Sequence, residues 1–142
     1  MKVLLDTNVV LDFVLDRQPF VEAAELVFET AKCRPIQFYL SATTITDLFY
    51  IAAKAKGKTF SLALIRDLLE FVEVAAVDKK VILDALHSGQ PDFEDAVQAG
   101  AAKQAAVSVI VTRNEADFIG AGIEVCHPDE FLRRYRWTEN RL

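Results

Sequence analysis

An α/β fold, in which helices flank a central, mostly parallel sheet, is predicted by three features of the sequence. Short runs rich in Val, Ile, Phe and Tyr alternate with stretches of helical 3-4-3-4 apolar spacing, and such alternation places helices on both faces of a parallel sheet. The chain has 142 residues, of which 52% are apolar and 26% charged. That is the size and composition of one ordinary globular domain. No internal repeat, low-complexity tract or Pro/Gly-rich linker divides it.

The first strand signal is "KVLL" at 2–5, followed by a second apolar stretch that carries Asp12 and Asp16. "FVEAAELVFETAK" then places Phe20, Ala23, Ala24, Val27 and Phe28 on one helical face. A strand follows at "QFYLS", and a helix at "TTITDLFYIAAKAKG", where Ile45, Leu48, Phe49, Ala52 and Ala53 line up and Gly57 makes a C-terminal stop. "TFSLALIRDLLEFVEVAAV" reads as a helix running into a short strand around 73–77. "DKKVILDALHSG" is a further helix, capped by Asp78 and ended by Gly89. In "PDFEDAVQAGAAKQAA", Phe93, Ala96, Val97, Gly100 and Ala101 form a face small enough to pack closely on a sheet. Strands "VSVIVT" and "IEVC" complete the alternation.

Several function classes are excluded or left without support. No apolar run approaches the roughly 18 residues of a membrane span. One Lys before a strand-like run is no secretory leader, and Cys33 and Cys126 stand apart with no CxxC pairing. A cytoplasmic protein is the expectation. The net charge of −5 argues against a general polyanion-coating protein, although a local basic strip would still admit nucleic acid as substrate. G-x-S-x-G, G-x-G-x-x-G and the phosphate loop G-x-x-x-x-G-K are all missing. His87 and His127 have no second His or Cys at zinc-ligand spacing.

What remains is acidic. In an open α/β sheet, ligands bind beyond the carboxyl ends of the strands, and Asp6, Asp47, Asp95 and Asp117 lie at or just past such ends. Each has an ordinary structural alternative. Asp6 can cap the next helix. Asp92 and Asp95 have the spacing of a capping box, and Asp117 can be a solvated loop acid. Asp47 interrupts a stretch, 45–53, in which seven of nine residues are apolar, and an unpartnered buried carboxylate there is costly. If the four converge, each pair about 5 Å apart repels by roughly 3 kcal/mol at an effective dielectric near 20. A divalent cation relieves that repulsion, and all-oxygen ligation suits Mg²⁺ or Mn²⁺ rather than zinc.

These residues resemble the PIN-domain nucleases, including the VapC-type toxins of bacterial toxin–antitoxin pairs. "LLDTNVVLD" looks like the family's opening strand and first acid, "SATTITDLFY" its second motif, "DFEDAVQAGAAKQ" its third and "VIVTRNEADF" its fourth. The resemblance covers approximately residues 1–130. It implies a single PIN-like domain over 1–142, with 133–142 as a basic and aromatic C-terminal tail. It also implies metal ligation by Asp6, Asp47, Asp95 and Asp117, with Asn8 and Thr112 as supporting polar residues. Cleavage of an RNA substrate with Mg²⁺ or Mn²⁺, a small antitoxin protein as partner and a homodimer follow from it too. Two departures are visible: the second acid is usually Glu where this chain has Asp47, and some relatives carry an acid in place of Asn114.

Rival readings are weaker. A haloacid-dehalogenase site wants a second Asp two residues after its nucleophile, and position 8 is Asn. A receiver domain expects its acceptor Asp after a middle strand with a Lys near the pocket, a pattern not found. A non-catalytic binding module on the PIN scaffold is the alternative that the shortened Asp47 favours. Lys54, Lys56 and Lys58 form one basic cluster, and "RRYRW" interleaves Arg133, Arg134 and Arg136 with Tyr135 and Trp137. That tail suits single-strand binding by charge and stacking, or, more plainly, a solvated terminal helix that docks its two aromatics.

Overall fold

The computed structural model describes residues 1–135. Its strands are β1 (Lys2–Leu5), β2 (Gln37–Ser41), β3 (Val72–Ala75), β4 (Val109–Val111) and β5 (Glu124–Cys126). All pair in parallel in one sheet, in the order β3-β2-β1-β4-β5, with Val3 opposite both Phe38 and Val109. Among the described residues seven α-helices flank it: α1 (Thr7–Val14), α2 (Val21–Glu29), α3 (Ala42–Lys56), α4 (Lys58–Leu68), α5 (Lys79–His87), α6 (Phe93–Gln104) and α7 (Pro128–Tyr135).

The central strands are continuous apolar runs because both of their faces are covered. Val3, Leu4 and Leu5 are all buried, as are Val109, Ile110 and Val111. Successive side chains point to opposite faces, so each strand feeds two cores. Val3, Leu5, Leu40 and Val111 pack with Val9, Val10, Val27, Leu48 and Phe131. Leu4 and Ile110 pack instead with Val81, Ala85, Val97 and the alanines of α6. The small residues of α6 also let α5 come close: a Cβ on Gly100 would stand 3.2 Å from Val81 Cγ1.

Local signals account for some element ends. Asp78 caps α5 through the Val81 N–H at 3.0 Å, and Gly57 ends α3 with φ of +92°. The strand expected near 73–77 begins one residue earlier, as β3. Helix α3 departs from its sequence reading. Its stretch around Asp47 looked unfit for water, yet Tyr50 is 71% exposed and Asp47 is only half-buried, because α4 covers one side of α3 and leaves the other open. In α7, Phe131 is buried and Tyr135 stacks on it at 4.8 Å, while Arg133 and Arg134 pair with Glu130. This is a solvated helix docked by an aromatic. Arg136 and Trp137 lie outside the described residues. Among the described residues no helix is long and apolar enough to cross a membrane.

From β1 the chain winds to β2 and β3 on one side, then returns across the sheet to β4 on the other. The order therefore reverses between β1 and β4, and the crevice beyond their carboxyl ends is where open α/β sheets take ligands.

Candidate functional site

Asp6 stands in that crevice, 3% exposed. Its N–H donates to the Val111 carbonyl at 3.0 Å, and its own carbonyl accepts from the Val9 N–H at 3.0 Å. Its backbone thus ends β1 and starts α1, in the position of an N-cap. Its side chain does not cap. Oδ2 accepts from the Thr112 hydroxyl at 2.8 Å, and Oδ1 accepts from Gln98 Nε2 at 3.0 Å. Thr112 is fully buried, and its oxygen also accepts from the Asn114 N–H at 3.0 Å, which commits the hydroxyl proton to Asp6.

On α6 the capping duty falls to Asp92, which accepts from the Asp95 N–H at 2.9 Å. Asp95 is left free to face Asp6. One turn later on the same face, Gln98 Nε2 reaches Asp95 Oδ1 at 3.4 Å as well as Asp6. Burial, reinforced by the charges of Asp6, Asp92, Asp117 and Glu94, pushes the Asp95 carboxyl up to about 7.

Asp117 lies in a 3-10 turn, Glu115–Phe118, whose start is pinned by the Asp117 N–H to the Asn114 carbonyl at 3.0 Å. Asp117, rather than Asn114, thus contributes charge to the cluster. Asp47 sits in the second turn of α3, one turn past Thr44. The Thr44 hydroxyl is hydrogen-bonded to that of Thr7 at 2.9 Å, tying the first turns of α3 and α1 together. Burial raises the Asp47 carboxyl. Asp47 couples most directly to Glu94, whose carboxyl is raised first by the charge of Asp47, then by burial, Asp92 and Asp6. Asn8 is half-buried on the first turn of α1.

The fold therefore gathers Asp6, Asp95 and Asp117 electrostatically and places Asp47 on the flank beside Glu94. Among the described residues, no three acid, His or Cys groups stand close enough to hold one ion as they are placed. Gln98 Nε2 lies within reach of both Asp6 and Asp95. The chemistry of the set still fits a hard divalent cation: every candidate donor is a carboxylate oxygen, and no ion pair among the described residues supplies Asp6 with a cation.

The sequence reading missed Gln98, Glu94 and one further pair. Arg113, next to Thr112, forms a bidentate contact with Asp12 of α1: Nε to Oδ2 at 2.7 Å and Nη2 to Oδ1 at 3.2 Å. Asp12 is 1% exposed, and the guanidinium lies 3.8 Å from the centre of the Phe20 ring. The pair locks the end of β4 to α1, and with them the elements that carry Thr112 and Asp6. Glu94 had a sequence signal, two adjacent acids at a helix start. Arg113 had none, since its partner lies 101 residues away, and Gln98 had only its spacing of three from Asp95, because its other partner, Asp6, lies 92 residues away.

The sequence profile of the PIN domain matches residues 2–116. No curated protein matches the chain. Among solved structures, VapBC-1 from nontypeable Haemophilus influenzae is similar over 91% of this chain and 99% of its own, at 22% identity and TM-score 0.69. A toxin–antitoxin complex from Klebsiella pneumoniae is similar over 89% and 97%, at 21% identity and TM-score 0.66. Mycobacterium tuberculosis VapC20, described as a sarcin-ricin loop cleaving toxin, is similar over 85% and 95%, at 15% identity and TM-score 0.65. At these identities the likeness is one of fold.

Proposed function

The chain belongs to the PIN-domain family, and from that premise we propose that it is a divalent-metal-dependent endoribonuclease, the toxin of a toxin–antitoxin pair. The carrying observation is Asp6, a carboxylate buried at the switch point and held on both oxygens by neutral donors alone. A buried anion furnished this way calls for a cation from outside the chain. Asp6, Asp95 and Asp117 would hold Mg²⁺ or Mn²⁺, with Asp47 on the flank. Such an ion supplies an activated water and neutralises charge on the phosphoryl group. Thr112 fixes the rotamer of Asp6, Asp117 adds charge from the β4 side, and a neighbouring carboxylate can take the proton of the attacking water.

The partners follow from the same reading. Single-stranded RNA is the substrate and a small antitoxin protein the regulator, a pairing supported by the toxin–antitoxin complex of the same fold. RNA as substrate agrees with the described cleavage of the sarcin-ricin loop by VapC20. A homodimer is supported by apolar side chains left in water on α4 and α5, among them Leu62, Ile82, Leu83 and Leu86. Light scattering on the purified chain gives its mass directly.

Cleavage of a labelled RNA pool, with Mg²⁺ or Mn²⁺ and again in excess chelator, tests the activity. Turnover only with metal is expected, and Asp6→Asn should abolish it. Equal turnover in chelator would sink the metal mechanism. Inactivity on diverse RNAs would favour the non-catalytic PIN scaffold, to which the short Asp47 side chain lends support.

A further inference from the structure

Gln98 is 4% exposed, and its amide is divided in an unusual way. The single nitrogen Nε2 donates to Asp6 Oδ1 at 3.0 Å and to Asp95 Oδ1 at 3.4 Å. The oxygen Oε1 is buried with no hydrogen-bond partner among the described residues. Turning the amide over would bring Oε1 against two carboxylate oxygens, so the acids dictate its orientation. The orphaned oxygen is the consequence. A core position filled for packing alone would hold an apolar side chain, as Ala99, Ala101 and Ala102 do beside it.

We propose that Gln98 is a positioning residue that sets the separation and orientation of Asp6 and Asp95 for the incoming divalent cation, a role that rests on the metal-nuclease reading above. The choice of side chain follows from charge. A Lys or Arg here would neutralise the acids and compete with the cation. A Glu would add repulsion, and a Leu would leave both carboxylates undirected. A neutral amide with two N–H groups on one atom can hold two anions side by side without discharging either. With Thr112 on Oδ2 and Gln98 on Oδ1, Asp6 keeps one rotamer and still has lone pairs free on both oxygens.

The test is a Mn²⁺ titration of the full chain by calorimetry, comparing wild type with Gln98→Met, which keeps the volume and removes the donors. Expected is a loss of Mn²⁺ affinity of roughly 10–100-fold, the range for losing a group that orients a metal ligand. The Mn²⁺ midpoint of RNA cleavage should move by the same factor, with KM for RNA unchanged. A residue that serves packing alone would lower the melting temperature in chelator and leave Mn²⁺ affinity where it was; that result overturns the proposal. A second measurement needs no variant. The two side-chain amide proton signals of Gln98 in wild type should shift with added Mg²⁺ at the midpoint of binding, and signals that stay put while the Asp6 and Asp95 backbone amides move also overturn it. Wild type that binds no Mn²⁺ at all removes the metal reading and the role of Gln98 together. Wild type that binds Mn²⁺ but cleaves no RNA removes the nuclease reading alone, and the affinity comparison still decides Gln98.

Discussion

Asp6 and Asp12 stand six positions apart, at the start and towards the end of α1, and are 3% and 1% exposed. They are furnished differently. Asp12 has a guanidinium from its own chain, bound in both arms and stacked on Phe20. Asp6 has a hydroxyl and an amide, both neutral. A buried carboxylate with an internal cation is finished on folding, and it serves the fold. One given only neutral donors keeps its charge unbalanced, and on this scaffold it lies where ligands bind.

The largest effect should come from breaking the finished pair. Removing one member of a buried ion pair leaves an uncompensated charge and costs about 3–5 kcal/mol. Arg113→Met should therefore lower the melting temperature by roughly 10 °C or more in a domain of this size. Protein that remains folded at low temperature should still respond to Mn²⁺. A variant that melts normally but ignores metal would collapse the contrast, since Asp12 would then belong to the acidic site. Asp6→Asn should do the reverse: cleavage falls by at least about 100-fold, the upper end of what even an outer-shell partner is worth, while thermal stability in chelator changes little. Cleavage assays and melts on the same preparations check both halves.

Asp95→Asn sharpens the comparison at a smaller scale. It relieves repulsion, so the metal-free protein should gain stability, on the order of 1 kcal/mol, less any loss of a favourable charge in the first turn of α6. The stabilisation by added metal should shrink, because a ligand that prefers the folded state acts by mass action. Melts across a Mn²⁺ series measure the two together. A full metal response in this variant would mean that Asp95 is no ligand.

A further effect is one of pH. The Asp95 carboxyl lies at about 7 in the folded protein against an ordinary 3.8. Between those values the folded state binds the extra proton, so its stability is greater at acid pH and declines as pH rises towards 7. Denaturant melts of metal-free protein between pH 4 and 7 should show this decline, and Asp95→Asn should flatten it. A slope unchanged by that substitution would assign the effect to other groups.

How far the molecule was legible from its sequence follows from the range of the interactions. The sheet was readable because Val3–Leu5 and Val109–Val111 announce strands covered on both faces, and Asp78 and Gly57 mark their helix ends locally. The acids were readable by position, as residues just past strand ends. Their supports were not. Gln98 looked like one polar residue on a small-residue helix, and Arg113 like a loop cation, because nothing local announces a partner across the sheet. The burial of Asp47 was overstated for a related reason: apolar spacing identifies a helix, but Tyr50 and Ile51 show that it does not say how much of the helix the fold will cover.

The pairing of Val3 with Val109 also sets a clock. Strand β1 leaves the ribosome well before its neighbour β4, and the residues that orient Asp6, namely Gln98 and Thr112, also come from the last third of the sequence. At about 5–20 residues per second, roughly 5–20 s separate the two during synthesis. Through that interval the first acid exists without the rest of its site. Until the last third of the chain has been made, its topology keeps the acidic crevice from assembling.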